Sequence, residues 1–236
     1  MPLPNPLHCR SVAWSQLCDQ LPNLGTTPGL LRGACAVAGH ELDKPAAQAD
    51  AVVERVAELG ERIRARVASG RPRALLAHAH EVLFEEERFR GERPEDAGPA
   101  SSYLPMVLET RRGLPATLSL IYKAVLEHVG LSVCGLNTPG HFLAGVSGIE
   151  EEPGRLMIVD VADAGRVLSQ EQAFRRIEQA AGTAVPRQQG LLAEATHRQW
   201  LIRVLQNLIM VFDRAGRGTD QAAMLELRTL VETPQR

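Results

Sequence analysis

The chain has 236 residues, enough for one large domain or a domain with an appendage. Hydrophobic residues make up 44% and charged residues 23%, a globular balance, and the net charge of −2 gives no reason to expect nucleic acid. Apolar runs fall short of the roughly 18 residues a membrane helix needs, and the opening MPLPNPLHCR lacks a signal peptide's apolar stretch, so no membrane association is expected. Aromatic residues are only 4% of the chain, so Leu, Val and Ala must build the core. The cysteines, Cys9, Cys18, Cys35 and Cys134, show no CxxC spacing, which predicts reduced thiols in a cytoplasm.

Residues 1–10 carry three prolines and read as an extended tail. Residues 11–21 predict a short helix, and residues 28–41 a second with recurring apolar and alanine positions. Asp43 and Pro45 signal a new helix start. In it Val52, Val56, Leu59, Ile63 and Val67 fall on one face. Gly70 and Pro72 end it, and a further helix is predicted over 74–87, with Glu85–Glu87 as a solvated acidic face.

Residues 90–102 form a polar, Pro/Gly-rich loop whose length suits a functional segment. A short helix over 103–110 precedes an apolar one over 116–129, closed by Gly130. The pattern then changes to short β-compatible runs at 131–136, 141–146 and 156–161. Ser169 with Gln172 three residues on forms a capping-box pattern opening a helix to about 180. After a Pro/Gln/Gly linker at 186–190, Leu201, Val204, Leu205, Leu208 and Phe212 make one apolar stripe. Gly216 and Gly218 turn the chain into a last helix over 222–231. The predicted class is α+β with helix in excess, in three parts: a tail and short helix (1–27), a central domain (28–185) and a C-terminal helical hairpin (186–236).

Antiparallel turns can bring His141 and Asp160 together on neighbouring strands, where an aspartate would fix the imidazole's tautomer. The run HAHE (78–81) does not predict a metal site, because helical positions i and i+2 point apart. Arg111 and Arg112 could grip a carboxylate or pair with Glu109 or with Glu85–Glu87. Trp200, at the start of the C-terminal stripe, reads as packing.

Three ordered stretches, YLPMVLETRRGLPATLSLIYKAVLEHVGL, NTPGHFLAGV and LMIVDVADAGRVLSQEQ, together resemble the SirB-type transglutaminase-like family, whose domain also accompanies an F-box in some eukaryotic proteins. The upstream VLFEEERFRGERPED and the tail LIRVLQNLIMVF are similar to flanking parts of that family, the tail to a tetratricopeptide-like hairpin. The resemblance covers about residues 28–233 and is most specific over 103–169. It implies a papain-like core in which a central helix packs on a small antiparallel sheet. Enzymes of the wider superfamily use a Cys at the start of the central helix, a His on the next-but-one strand and an Asp on the strand after. His141 and Asp160 match the last two. The Cys position falls at Pro115 or Ala116, where no cysteine stands, so Cys-type acyl transfer lacks its nucleophile.

Thr117, in the first turn of that helix, and Cys134, on the strand leading to His141, are the outside candidates for the missing role. Asn137, Pro139, Gly140, Glu109, Arg111 and Arg112 are expected to line a substrate or partner cleft. No motif implies a cofactor or metal. Two readings follow: a binding or regulatory module with a protein or peptide partner, or an enzyme of altered mechanism. In the second, His141 and Asp160 act as a general-base pair on an amide or ester.

Overall fold

The computed structural model describes residues 5–68, 70–149, 154–187 and 189–233. The N-terminal half is helical: α1 (Ser11–Gln20), α2 (Thr27–Ala38), α3 (Pro45–Arg64) and α4 (Pro72–His80). Thr26 caps α2 by accepting from Gly29 N, and α2 ends at Ala38, three residues before the predicted limit. The predicted stripe of α3 is buried at Val52, Val56, Leu59 and Ile63, and Val67 lies past its end. Beyond His80 the predicted single helix changes type. Residues Glu81–Glu86 form a π-turn, with Glu87 N donating to Val82 O five residues back.

Two-residue strands β1 (Arg90–Gly91) and β2 (Arg112–Gly113) pair in parallel and flank α5 (Leu104–Thr110). Helix α6 (Pro115–His128) follows, and every residue from Ala116 to Leu126 is buried. It is the centre of the molecule because it packs on α3 and α5 on one side and on a sheet on the other. The sheet contains β3 (Ser132–Thr138), β4 (His141–Ser147), β5 (Met157–Asp160), β6 (Arg166–Leu168) and β7 (Glu194–Ala195), in the order β6-β5-β4-β3-β7 with every pair antiparallel. β6 and β7, three and two residues long, have no counterpart in the sequence reading.

β4 is buried at every position but its last. Phe142, Ala144 and Val146 belong to the main core with α6, while Leu143 joins Leu136, Leu168 and Ala173 in a smaller cluster. That second cluster lies under α7 (Gln170–Ala181), which opens with the predicted Ser169–Gln172 capping box. The period of two thus sends alternate β4 side chains to two different layers.

The chain ends in α8 (His197–Arg214) and α9 (Gly218–Glu232), packed on one another. The pair is built into the rest of the molecule. Trp200, Leu201, Val204, Leu205, Leu208 and Phe212 all lie in the main core. Glu226 on α9 accepts from the backbone N–H groups of Leu7, His8 and Cys9, and Asp220 meets the buried His40 at 2.9 Å. Among the described residues no helix is long and apolar enough to cross a membrane.

Candidate functional site

The β3–β4 hairpin turns through Pro139 and Gly140. Proline pre-sets the first corner, and Gly140 takes a φ of +68°, which a side chain rarely adopts. A Cβ there would also lie 2.6 Å from the backbone of Ala180, so the turn sits directly against the end of α7. The turn delivers His141 as the first residue of β4. In the β4–β5 register Ala144 faces Val159, so Asp160 comes opposite Leu143, on the same sheet face as His141.

The two side chains meet there. His141 Nε2 lies 3.0 Å from Asp160 Oδ2, with His141 only 5% exposed and Asp160 1%. Arg176 of α7 donates through Nε to the same oxygen at 2.9 Å, and Asp163 N donates to Oδ1 at 3.2 Å. Burial alone would raise the Asp160 carboxyl, but the bonds and charges of His141 and Arg176 outweigh it and hold the group below the usual aspartate range. A carboxylate so held orients the imidazole through Nε2 and leaves Nδ1 as the ring nitrogen that can address a ligand.

His141 forms part of the wall of a cleft of about 1010 Å³. The N-terminus of α6, as Leu114, Pro115 and Ala116, lines the same cleft. The remaining walls are the 91–95 loop, the end of α7 and one face of α8. Trp200 of α8 fixes the α6 end by donating Nε1–H to Ala116 O at 2.9 Å. Among the described residues, none that line the cleft carries a thiol, a hydroxyl or an amine.

The two outside nucleophile candidates are not brought to this cleft. Thr117 is fully buried, and its hydroxyl donates to Ser102 O at 3.3 Å, away from the opening. It turns inward because the first turn of α6 must pack against the 99–102 segment. Cys134 faces Gly145 O at 3.6 Å on the neighbouring strand, and burial, with a smaller push from Glu194, raises its thiol to about 11. Cys35 is pushed by burial to about 12. Alkylation with iodoacetamide at pH 7 is therefore expected to be slow at Cys134 and to accelerate as pH rises towards 11. Peptide mapping by mass spectrometry checks this. Rapid, pH-insensitive labelling of Cys134 near neutrality would show an activated thiol instead.

The expected cleft arginines also lie elsewhere. Arg111, at the left-handed end of α5, pairs with Glu87 at 2.9 Å and stacks over Phe89. Glu109 is exposed and is not its anchor, and Arg112 points to solvent. Glu87 itself is 11% exposed rather than solvated, because Arg55, Arg62 and Arg111 converge on it, and together they hold its carboxyl low against the opposing effect of burial. His78 and His80 diverge as their spacing requires: His78 meets Glu81 at 3.0 Å, and His80 meets Tyr122 Oη at 2.8 Å in an aromatic cluster with Phe84. Burial lowers His80 to about 4, so it is a neutral core group. Gly140 does line the cleft, while Asn137 stands behind it and accepts from Arg203 at 3.0 Å.

The residues missed by sequence reasoning are on α8. Its apolar stripe was visible, but the adjacent face, Arg203, Gln206, Asn207, Met210 and Arg214, forms the cleft wall. The spacing i, i+3, i+4, i+7, i+11 was the available signal. Arg176, one residue from its neighbour Arg175 on a polar helix, had no such signal.

A buried central helix whose N-terminus lines one cleft with a His paired to an Asp on an antiparallel sheet fits a transglutaminase-like domain with a papain-like core. The chain belongs to the transglutaminase-like superfamily, whose sequence model matches residues 50–206. It is similar to a UPF0162 protein of Xylella fastidiosa, 32% identical over 159 residues, which are 64% of this chain and 55% of the relative. A UPF0162 protein of Pseudomonas aeruginosa is 27% identical over 209 residues, 87% of this chain and 72% of that one. Mouse F-box only protein 21 is 26% identical over 139 residues, 57% of this chain and 21% of that protein. The matched region spans about half the length of the Xylella relatives, at 55% of each. No solved structure matches this chain.

Proposed function

We propose that this domain is a binding or regulatory module that holds a peptide or protein segment in the cleft between α6, α7 and α8, without covalent catalysis. One observation carries the reading. The cleft wall keeps His141 with its buried partner Asp160, yet no described residue lining it offers a thiol, hydroxyl or amine nucleophile, and Pro115 and Ala116 occupy the central helix start. Its volume of about 1010 Å³, at the upper end of small-molecule pockets, has room for several residues of an extended chain. The four unpaired cysteines support a cytoplasmic site of action.

The 3.0 Å contact of His141 with Asp160 favours a second reading. Here His141 Nδ1 would take a proton from water or an amine attacking a bound amide or ester, with no enzyme-bound intermediate. The two readings separate in one assay. Wild-type protein and His141→Ala are compared for release from p-nitrophenyl esters and blocked peptide amides. The binding reading expects equal background rates. A His141-dependent turnover, lost by about 10²–10⁴-fold in a variant that still folds, would establish the general-base reading instead.

A further inference from the structure

The α8 wall of the cleft carries a charge pattern that the His–Asp pair does not explain. Among the described residues, Arg93 pairs with Asp96, Arg176 with Asp160, and Arg228 lies 3.4 Å from Glu232. The two other cleft arginines have no such counter-charge. Arg203 donates to Asn137 Oδ1 at 3.0 Å and to Thr138 O at 2.9 Å, and Arg214 donates to Pro94 O and to Ala97 O. All four partners are neutral. Neither cleft carboxylate is paired with them: Glu95 lies 3.7 Å from Arg93, and Glu92, which accepts from the neutral Ser101, is one negative charge against the two cations. The half-buried Arg203, facing only carbonyls, keeps an electrostatic demand that an incoming anion can meet, and the exposed Arg214 offers a second cation on the same wall. Burial pulls the Arg203 guanidinium downward, the direction expected of a cation without a neutralising partner.

The spacing is informative. Arg203 and Arg214 are eleven positions apart on one helix, about three turns and about 16 Å along its axis, and therefore on one face. Between them the exposed Met210, 56% accessible, and Ile209 offer apolar surface to the same cleft. An extended chain advances about 3.3 Å per residue and sends alternate side chains to opposite faces, so the two cations are matched by acidic side chains an even number of residues apart, about four to six. We infer that the cleft recognises an extended acidic peptide whose two carboxylate side chains pair with Arg203 and Arg214 while apolar residues between them lie over Met210. This inference rests on the binding reading above and specifies the ligand's chemistry.

A phage-displayed random heptapeptide library, panned against the full chain, tests it. Expected is enrichment of Asp or Glu at two positions four or six apart with apolar residues between. The winning peptide, synthesised with blocked ends and a fluorescein label, is then titrated by anisotropy. Replacing its two acidic residues with Gln, or replacing both arginines in the protein (Arg203→Gln with Arg214→Gln), should weaken binding by about tenfold or more. Arg203→Lys should weaken it far less. Because the arginines also tether loops, Met210→Glu provides a variant at an exposed site. It should leave the melting temperature unchanged and weaken the acidic peptide by about tenfold through repulsion. Neutral winners that Met210→Glu weakens, or basic winners that it strengthens, would overturn the acidic specificity and keep the cleft as a peptide site. Winners that need a free C-terminal carboxylate would overturn the side-chain assignment. No enrichment, or binding indifferent to every cleft variant, would sink both this inference and the binding reading.

Discussion

Asp160→Ala is expected to destabilise the fold by about 3–5 kcal/mol, because it removes the shared acceptor of a buried charged cluster. Asp160 is 1% exposed and accepts from His141, Arg176 and Asp163 N at once. After truncation Arg176, whose side chain is 40% exposed, can swing to water and recover solvation. His141, with a side chain 6% exposed, cannot, and so the imidazole carries most of the penalty. Asp160→Asn keeps the size and one acceptor oxygen for His141 and Arg176 but loses the charge and turns its amide N–H groups towards Asp163 N–H, so its cost should fall between wild type and Ala. Urea unfolding followed by circular dichroism checks both. An unchanged midpoint in Asp160→Ala would mean that the cluster contributes nothing net.

The same pair predicts a pH dependence with a definite sign. The folded carboxyl lies below its ordinary value of 3.8, so its contribution is fully present above that value and is lost as pH falls through the lower folded one. The stability gap between wild type and Asp160→Ala should therefore stay flat from neutrality down to the ordinary aspartate range and close below it. A gap that instead shrank on raising the pH from neutrality would contradict the assignment.

Much of this arrangement was legible in the residues. The 3.6-residue stripe of α3, the buried run of α6 and the Ser169–Gln172 box all announce themselves through spacing or cap chemistry. The Pro139–Gly140 turn and its strand neighbours also made the meeting of His141 and Asp160 readable, since alternation on paired strands is local information. What stayed hidden depends on tertiary context. The π-turn after His80 is an i→i+5 bond that no residue pattern marks. β6 and β7 are too short for alternation to show. Glu87 looked like one acid in a solvated run, because the arginines that bury it come from α3 and from the end of α5. The polar face of α8 carries no mark of its role for the same reason: only the folded chain shows that it fronts a cleft.

Trp200→Ala should show how far the C-terminal helices are part of the domain rather than an attachment to it. Trp200 is fully buried, and its ring lies 4.8 Å from Phe142 at a tilt of 43°. It also presses on Gly135, where a Cβ would come within 2.6 Å of the indole, so β3 has given up a side chain at that point to admit the ring. Its Nε1–H satisfies Ala116 O at the first turn of α6. One residue thus joins α8 to the central helix and to both strands of the hairpin that carries His141. Truncation leaves a large cavity, and the expected loss is about 3–5 kcal/mol. Trp200→Phe keeps most of the packing and removes only the donor, for which about 1 kcal/mol is expected. Denaturant unfolding of the three proteins gives the comparison. A single transition that moves as one for tryptophan fluorescence of the remaining Trp14 and for far-UV signal would show one cooperative unit. A Trp200→Ala loss under 1 kcal/mol, or a separate early transition for the helical signal, would instead make residues 186–236 an appendage. The cleft would then have a wall able to move independently of its His–Asp pair.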